Sequence, residues 1–226
     1  MISDEKRTYD LGPKMIYKTE VTIGKCRDFC LNLHKVNEFR AYFVDTDKIT
    51  LEVRTDLNID LARIVGLNIS NGRNKEINLY PIKQKGERPF DALGHIFVQI
   101  VFPNNRENNI EISGDYQKIT LTDCPTYNHI EFDGTVNEMN VYNMAGYLEI
   151  NSPMALTLNY DASMERVDIN QKNTTSSLIL TPSATPNIYA MGKDCDIVLV
   201  GCAIDPNSEK LIELNGAKSS LIVRCK

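Results

Sequence analysis

Tryptophan is absent from this chain, histidine occurs three times, and aromatic residues of all kinds make up 8% of it. That disfavours a sugar-binding surface built on stacked rings, although ten tyrosines leave one open. A long hydrophobic run is also missing. The longest, Ile96-Phe97-Val98-Gln99-Ile100-Val101-Phe102, is far too short to cross a bilayer, so no membrane span is expected. Nor is there an excess of positive charge. A net charge of −5 and a pI near 5.3 argue against a nucleic-acid partner, which would show a basic face. The N-terminus, MISDEKRTYDLGPK, lacks a basic start followed by an apolar stretch, so no signal peptide is visible. A chain that natively starts at Met1 is expected in the cytoplasm. One whose export signal has been removed is expected at the cell surface or secreted.

Chemistry-bearing motifs are missing as well. No P-loop, GxGxxG, GxSxG or HExxH occurs, and His34, His95 and His129 lie in different segments. No catalytic residue is assigned, no cofactor is expected, and the chain reads as a non-enzyme. Cys26, Cys30, Cys124, Cys195, Cys202 and Cys225 include no CxxC pair. Cys26 and Cys30 fall on one face of a strand or of a helix, but the four-ligand zinc spacings are lacking, so no metal is expected. The thiols are read as reduced, buried small residues. Cys195 and Cys202 flank one strand and would be joined only in a secreted protein.

What is present is rhythm. The 226 residues are 42% hydrophobic and 24% charged, enough for a sizeable core. Residues 1–14 read as a leader closed by the Gly12-Pro13 turn. Strands are expected from Met15 to Ile23, Phe29 to Leu33, Phe39 to Val44, Ile49 to Val53, Ile77 to Tyr80 and Ile96 to Phe102, with loops at 70–76 and 83–94. The segment Leu57 to Ile69 fits a helix or two strands, and its β-branched content favours strands. From Ile110 onward, apolar-any-apolar triplets start at Ile110, Ile119, Ile130, Met139, Leu148, Leu156, Val167, Leu178, Ile188, Ile197, Ile212 and Leu221. They come about every ten residues, and every second triplet recurs at about twenty, a period in the solenoid range. A short strand with two inward apolar residues cannot bury them alone. Coils stacked about 4.8 Å apart let each strand hydrogen-bond to the next coil and seal a common core. The expected fold is therefore all-β: a parallel β-helix or solenoid over 104–226, with an irregular N-terminal β region, 15–103, capping it. A β-sandwich is the alternative, since it too uses short strands with frequent turns.

The run IFVQIVFPNNRENNIEISGDYQKITLTD, with Val98, Ile100, Pro103, Ile110, Ile112, Ser113, Gly114 and Asp115, resembles a signature of the bacterial putative-adhesin family of β-strand repeats, a domain of unknown function. The resemblance spans residues 15–226. It implies a single-stranded right-handed β-helix and an adhesin-like interaction role. The family repeats a Ser-Gly-Asp-like turn, whereas this chain offers only Asp133-Gly134 and Ala145-Gly146 after Asp115.

If the triplets are rungs, their middle residues face solvent. One set is acidic: Glu111, Glu131, Glu149, Asp168 and Glu213, with Tyr189 placed after Asp168 in chain order. Stacked carboxylates repel, so this ladder is a candidate binding face for Ca²⁺ or a basic partner, or a solvated face neutralised by Lys118, Arg166 and Lys210. The other set, Thr120, Asn140, Thr157, Ile179, Val198 and Ile222, turns apolar toward the C-terminus. Ile179, Val198 and Ile222 form a candidate interface strip, covered by the chain's own N-terminal strands or by a second copy. The C-terminal strand Leu221 to Val223 is expected to be uncapped, which invites end-to-end homodimerisation. Asn151, Asn170 and Asn215 are read as amides stacked at turns. Three functions follow: a scaffold or interaction module with a protein partner, a surface carbohydrate-binding adhesin, or a glycan-active enzyme using Glu131 and Glu149 as a carboxylate pair.

Overall fold

The computed structural model describes residues 15–24, 26–56, 65–68, 74–79, 96–181 and 184–226. Every regular element among them is a strand: β1 (Met15–Thr22), β2 (Asp28–Val44), β3 (Lys48–Thr55), β4 (Val65–Asn68), β5 (Asn74–Leu79), β6 (Ile96–Pro103), β7 (Asn108–Asn151), β8 (Thr157–Tyr160), β9 (Arg166–Lys172), β10 (Thr175–Leu180), β11 (Asn187–Ala190), β12 (Asp196–Val200), β13 (Leu211–Ala217) and β14 (Ser220–Cys225). The expected leader, the loop at 83–94 and residues 57–64 lie outside the described residues. The expected loop at 70–76 is corrected in part, because β5 already starts at Asn74, where it can pair with β2.

The strands form one mixed sheet of 14 strands. Its main path runs β1-β3-β6-β2-β7-β8-β10-β14-β12, with branches β2-β5-β4 and β7-β9-β13-β11. Pairing is antiparallel at β1-β3, β3-β6 and β4-β5. From β2 onward the named pairs are parallel: β7-β8, β7-β9, β8-β10, β9-β13 and β10-β14 among them. A sandwich would join consecutive triplets in antiparallel hairpins. Here each triplet instead lies beside one about two places away.

Strand β7 has 44 residues. Drawn straight, at about 3.3 Å per residue, it would far outrun a domain of this size. It returns over itself instead. Thr135 Oγ1 donates to Asp115 at 2.9 Å, Asn143 Nδ2 to Asp123 at 3.1 Å, and Asn108 Nδ2 to Asn128 at 2.9 Å, each pair twenty residues apart. Gly134 lies directly against the backbone of Gly114. The next step is shorter: His129 stacks on Tyr147 with ring centroids 4.9 Å apart, and Gly146 lies on Asn128.

This register sorts the apolar residues into rows. One inward row is Phe29, Ile110, Ile130, Leu148, Val167, Ile212 and Ile188, all buried. Another is Phe39, Ile119, Met139, Leu158, Leu178 and Val223, each 0% exposed, ending on Leu199 at 41%. Burial of each large aliphatic side chain contributes about 1.5–3 kcal/mol. The sheet therefore depends on keeping these rows aligned.

Three expectations about the C-terminus are corrected. Strand β14, which holds Leu221 to Val223, is not an open end, because it lies between β10 and β12. Likewise β13 lies between β9 and β11. The chain passes out to β11 and β12, then returns through residues 201–210 to fill the gap. Second, Cys202 is bonded to Cys225, with Cα atoms 5.5 Å apart, a spacing that suits a bridge. Of the six cysteines, Cys26, Cys30, Cys124 and Cys195 take no part in a disulfide. Third, Ile179, Val198 and Ile222 do not form one strip. Ile222 stands beside Val198, but Ile179 stands beside Arg224, two positions further along. β12 and the N-terminal strand β1 lie at opposite ends of the main path, so those strands do not cover Val198.

Candidate functional site

Register fixes the order of the outward residues on the acidic face. Glu76 pairs with Cys30 and Cys30 with Glu111. Glu111 and Glu131 then share a groove. Glu149 pairs with Asp168, Asp168 with Glu213, and Glu213 with Tyr189. The predicted acids are thus brought together on one face, with one correction of order: Glu213, not Tyr189, follows Asp168. The cause is the insertion of β13 before β11.

The ladder has two unlike halves. In the upper half Asp168 and Glu213 are buried, not solvated. Arg166 lies across them, with Nε 2.7 Å from Asp168 and a terminal nitrogen 3.3 Å from Glu213. The Tyr147 hydroxyl donates to Asp168 at 2.7 Å and to Glu149 at 3.2 Å, and the Tyr189 hydroxyl donates to Glu213 at 2.5 Å. Arg166 also sits over the Tyr147 ring, 5.9 Å from its centroid. These contacts show in the titration of the partners. The hydrogen bond to Asp168, against a smaller burial cost, raises the pKa of the Arg166 guanidinium. Burial, then the Asp168 hydrogen bond, pushes the Tyr147 phenol well above its ordinary range, and the Glu213 hydrogen bond raises Tyr189. This half is an internally satisfied network, and it ties strands β7, β9, β13 and β11 together.

Sequence reasoning named Arg166 as a neutraliser but missed Tyr147. A signal was present in both cases. Arg166 and Asp168, like Tyr147 and Glu149, are two residues apart on a strand and so share a face. Lys118, also named, is corrected: it lies 3.0 Å from Glu138 on the other face. Burial pushes the Glu138 carboxyl up, but hydrogen bonds from Lys118 and Asn140 outweigh it and leave it below the ordinary carboxylate value. Lys210 contacts Glu165 at 3.9 Å and donates to the Ser163 carbonyl at 2.8 Å.

The lower half is open. A groove of about 260 Å³ is lined by Cys30, Asn32, Glu111, Ser113, Glu131 and Asp133, floored by Leu31 and Ile112. Glu111 and Asp133 are exposed and Glu131 is half-buried. Among the described residues no ion pair reaches any of these three carboxylates. Asn151 donates to Glu131 at 3.4 Å. Asn170 donates to Glu149 at 3.0 Å and to Asn151 at 2.7 Å. Asn151, Asn170 and Asn215 do stack along the axis, but on strands β7, β9 and β13 and not at turns. Glu131 and Glu149, the carboxylates considered as a pair, therefore carry different amide partners. No group of three or more His, Cys, Asp or Glu side chains able to hold a metal occurs among the described residues.

Cys30 lies in the groove wall, and its thiol donates to Glu111 at 3.2 Å. Burial, then that hydrogen bond and the charges of Glu111, Glu76 and Asp28, push the thiol up to about 11. At pH 8 this leaves about a hundred-fold less thiolate than a free cysteine carries. Cys30 is therefore expected to alkylate slowly with iodoacetamide at pH 8, followed by peptide mass mapping. Glu111→Gln removes the charge and replaces one acceptor oxygen with an NH2 donor but leaves the burial, so alkylation should speed up several-fold. An unchanged rate would place Glu111 away from the thiol.

No family model and no curated protein matches the chain. Solved structures do resemble it. A "putative cell adhesion protein" from Clostridium sporogenes aligns over 95% of this chain and 100% of its own, at 12% identity and a TM-score of 0.47. A "putative adhesin" from Bacteroides fragilis aligns over 95% and 98%, at 12% identity and 0.41. A "putative lipid binding protein" from Parabacteroides distasonis aligns over 92% and 96%, at 12% identity and 0.36.

Proposed function

We propose that the chain is a non-enzymatic β-solenoid, coiled in the right-handed sense the resemblance implies, that serves as an adhesin-like interaction module. In this reading the antiparallel N-terminal strands terminate one end of the stack. The coils present the groove around Glu111, Glu131 and Asp133 to a basic segment of a partner protein.

One observation supports this most: the acidic ladder is neutralised in its upper half and left without a cation, among the described residues, in its lower half. Two carboxylates on neighbouring coils about 5 Å apart cost about 1 kcal/mol in water before salt screening. Evolution of a purely structural face would gain by pairing them, as Arg166 pairs Asp168 and Glu213. A lysine- or arginine-bearing ligand would relieve the same repulsion by binding.

The test uses an oligolysine peptide as probe, followed by calorimetry at low salt. The intact chain should bind it, and Glu131→Gln combined with Asp133→Asn should weaken binding at least ten-fold while leaving thermal stability unchanged or slightly raised. Binding unaffected by the double substitution would reject the groove as the site. A glycan array run in parallel separates the carbohydrate-binding alternative: a strong glycan signal with no peptide binding would favour that reading instead.

A further inference from the structure

Strand β12 reads Asp-Ile-Val-Leu-Val. It pairs on one side with β14, and no described strand pairs its other side. None of its five residues is buried. Leu199 continues an inward row whose other members are 0% exposed, yet it is 41% exposed itself. Val198 and Val200, on the outward face, are 46% and 47% exposed. Ile197 extends a second inward row beyond Leu221. The core is thus not closed at this end. The edge also lacks the usual protection of a lysine, a proline or a bulge. The Cys202–Cys225 bond ties the chain just after β12 to the end of β14, so the edge is held in place before any partner arrives, which lowers the cost of association.

We propose that β12 is the seat of a twofold dimer, in which a second copy of the same strand adds antiparallel to it. Charge decides the direction. In a parallel pairing Asp196 would meet Asp196, and like charges directly opposite are destabilising. In an antiparallel pairing centred on Val198, Asp196 lies opposite Val200. The two aspartates then stand roughly 13 Å apart along the strand, beyond the screening length at ordinary salt. Ile197 meets the partner's Leu199, so the inward row Leu221-Ile197 runs on into the partner's Leu199-Val223. On the outer face Ile222 and Val198 meet the partner's Val198 and Ile222. Every exposed apolar residue of the strand is buried by its own copy, and the interface is isologous.

This rests on the solenoid reading, in which β12 is the last strand at one end of the stack. The experiment is light scattering on the intact chain from low micromolar to several hundred micromolar. The expected mass at high concentration is twice the 25.6 kDa of one chain. Val198→Lys should return it to a single chain with an unchanged circular-dichroism spectrum. Val198→Cys should form a disulfide with itself across the twofold, identified by peptide mapping. A wild-type monomer at the highest concentration overturns the proposal, and so does a dimer that survives Val198→Lys. Failure of the solenoid reading itself shows elsewhere, as a Gly146→Ala variant as stable as the wild type.

Discussion

Gly146→Ala is expected to destabilise the fold by about 4 kcal/mol or more, near the top of the range for single substitutions, and so to lower Tm by roughly 8–16 °C for a chain of this length. A methyl group at this position would sit 1.9 Å from the Asn128 carbonyl oxygen and 2.5 Å from its nitrogen. Both atoms are backbone, so neither can swing aside. The φ angle of +115° adds a conformational penalty for any residue with a Cβ. The backbone is clamped from the other side as well. The Glu165 amide donates to the Gly146 carbonyl at 3.0 Å, and the Gly146 amide donates to the Glu165 carboxylate. Gly24 provides the control. Its φ is +56°, but nothing lies within 4 Å of a Cβ built there, so Gly24→Ala should cost only about 1–2 kcal/mol. Thermal unfolding of the two variants side by side measures the close approach of Gly146 to the Asn128 backbone directly. Equal losses would mean that the two backbones are not in contact there.

That glycine illustrates what could be read from the residues and what could not. The triplets could be read because alternation has period two and is local: Ile110, Ile112, Ile130 and Phe132 are all buried, as their spacing implies. Asp133-Gly134 and Ala145-Gly146 read as remnants of a turn, yet the sequence does not say that Gly134 lies against the Gly114 backbone and Gly146 against that of Asn128. Spatial order was illegible where the chain leaves its rhythm. Between Ile197 and Ile212 the step lengthens across Pro206, Asn207 and Ser208, and nothing local dictates that β13 and β14 then fill the space before β11 and β12. Any strand with apolar residues at the right positions can pair with any other of the same pattern. The wrong open end followed from that inversion, whereas the wrong apolar strip followed from register, since Ile222 meets Ser177 and Ile179 meets Arg224. The Cys202–Cys225 pair was hidden by the inversion, since it depends on β14 lying beside β12. On the acidic face, which acids share a row was legible. Which of them are buried was not, because burial of Asp168 and Glu213 depends on Arg166 and the two tyrosines folding over them.

Arg166→Met should lower stability by about 2–3 kcal/mol at pH 7, and the loss should shrink in acid. Methionine keeps the packing of the aliphatic stem but removes the charge that lies across Asp168 and Glu213, whose side chains are each 10% exposed. Breaking a buried pair strands a charge and costs about 3–5 kcal/mol. The lower figure is taken here because Arg166 is 45% exposed and part of its effect is screened. With the cation gone, two adjacent buried carboxylates repel, and taking up a proton relieves that repulsion. The folded variant then binds a proton that the unfolded chain, whose carboxylates are far apart, does not. Stability therefore falls as pH rises through the carboxylate range, and the deficit is complete above it. Urea unfolding at pH 7 and pH 4 should show a large difference between variant and wild type at the first and a small one at the second. Adding Asp168→Asn to the variant should recover part of the loss at pH 7, because one of the two repelling charges is gone. A deficit of equal size at both pH values would assign the role of Arg166 to packing against Tyr147 and not to charge, and it would remove the contrast between the paired and unpaired halves of the ladder on which the groove's partner is argued.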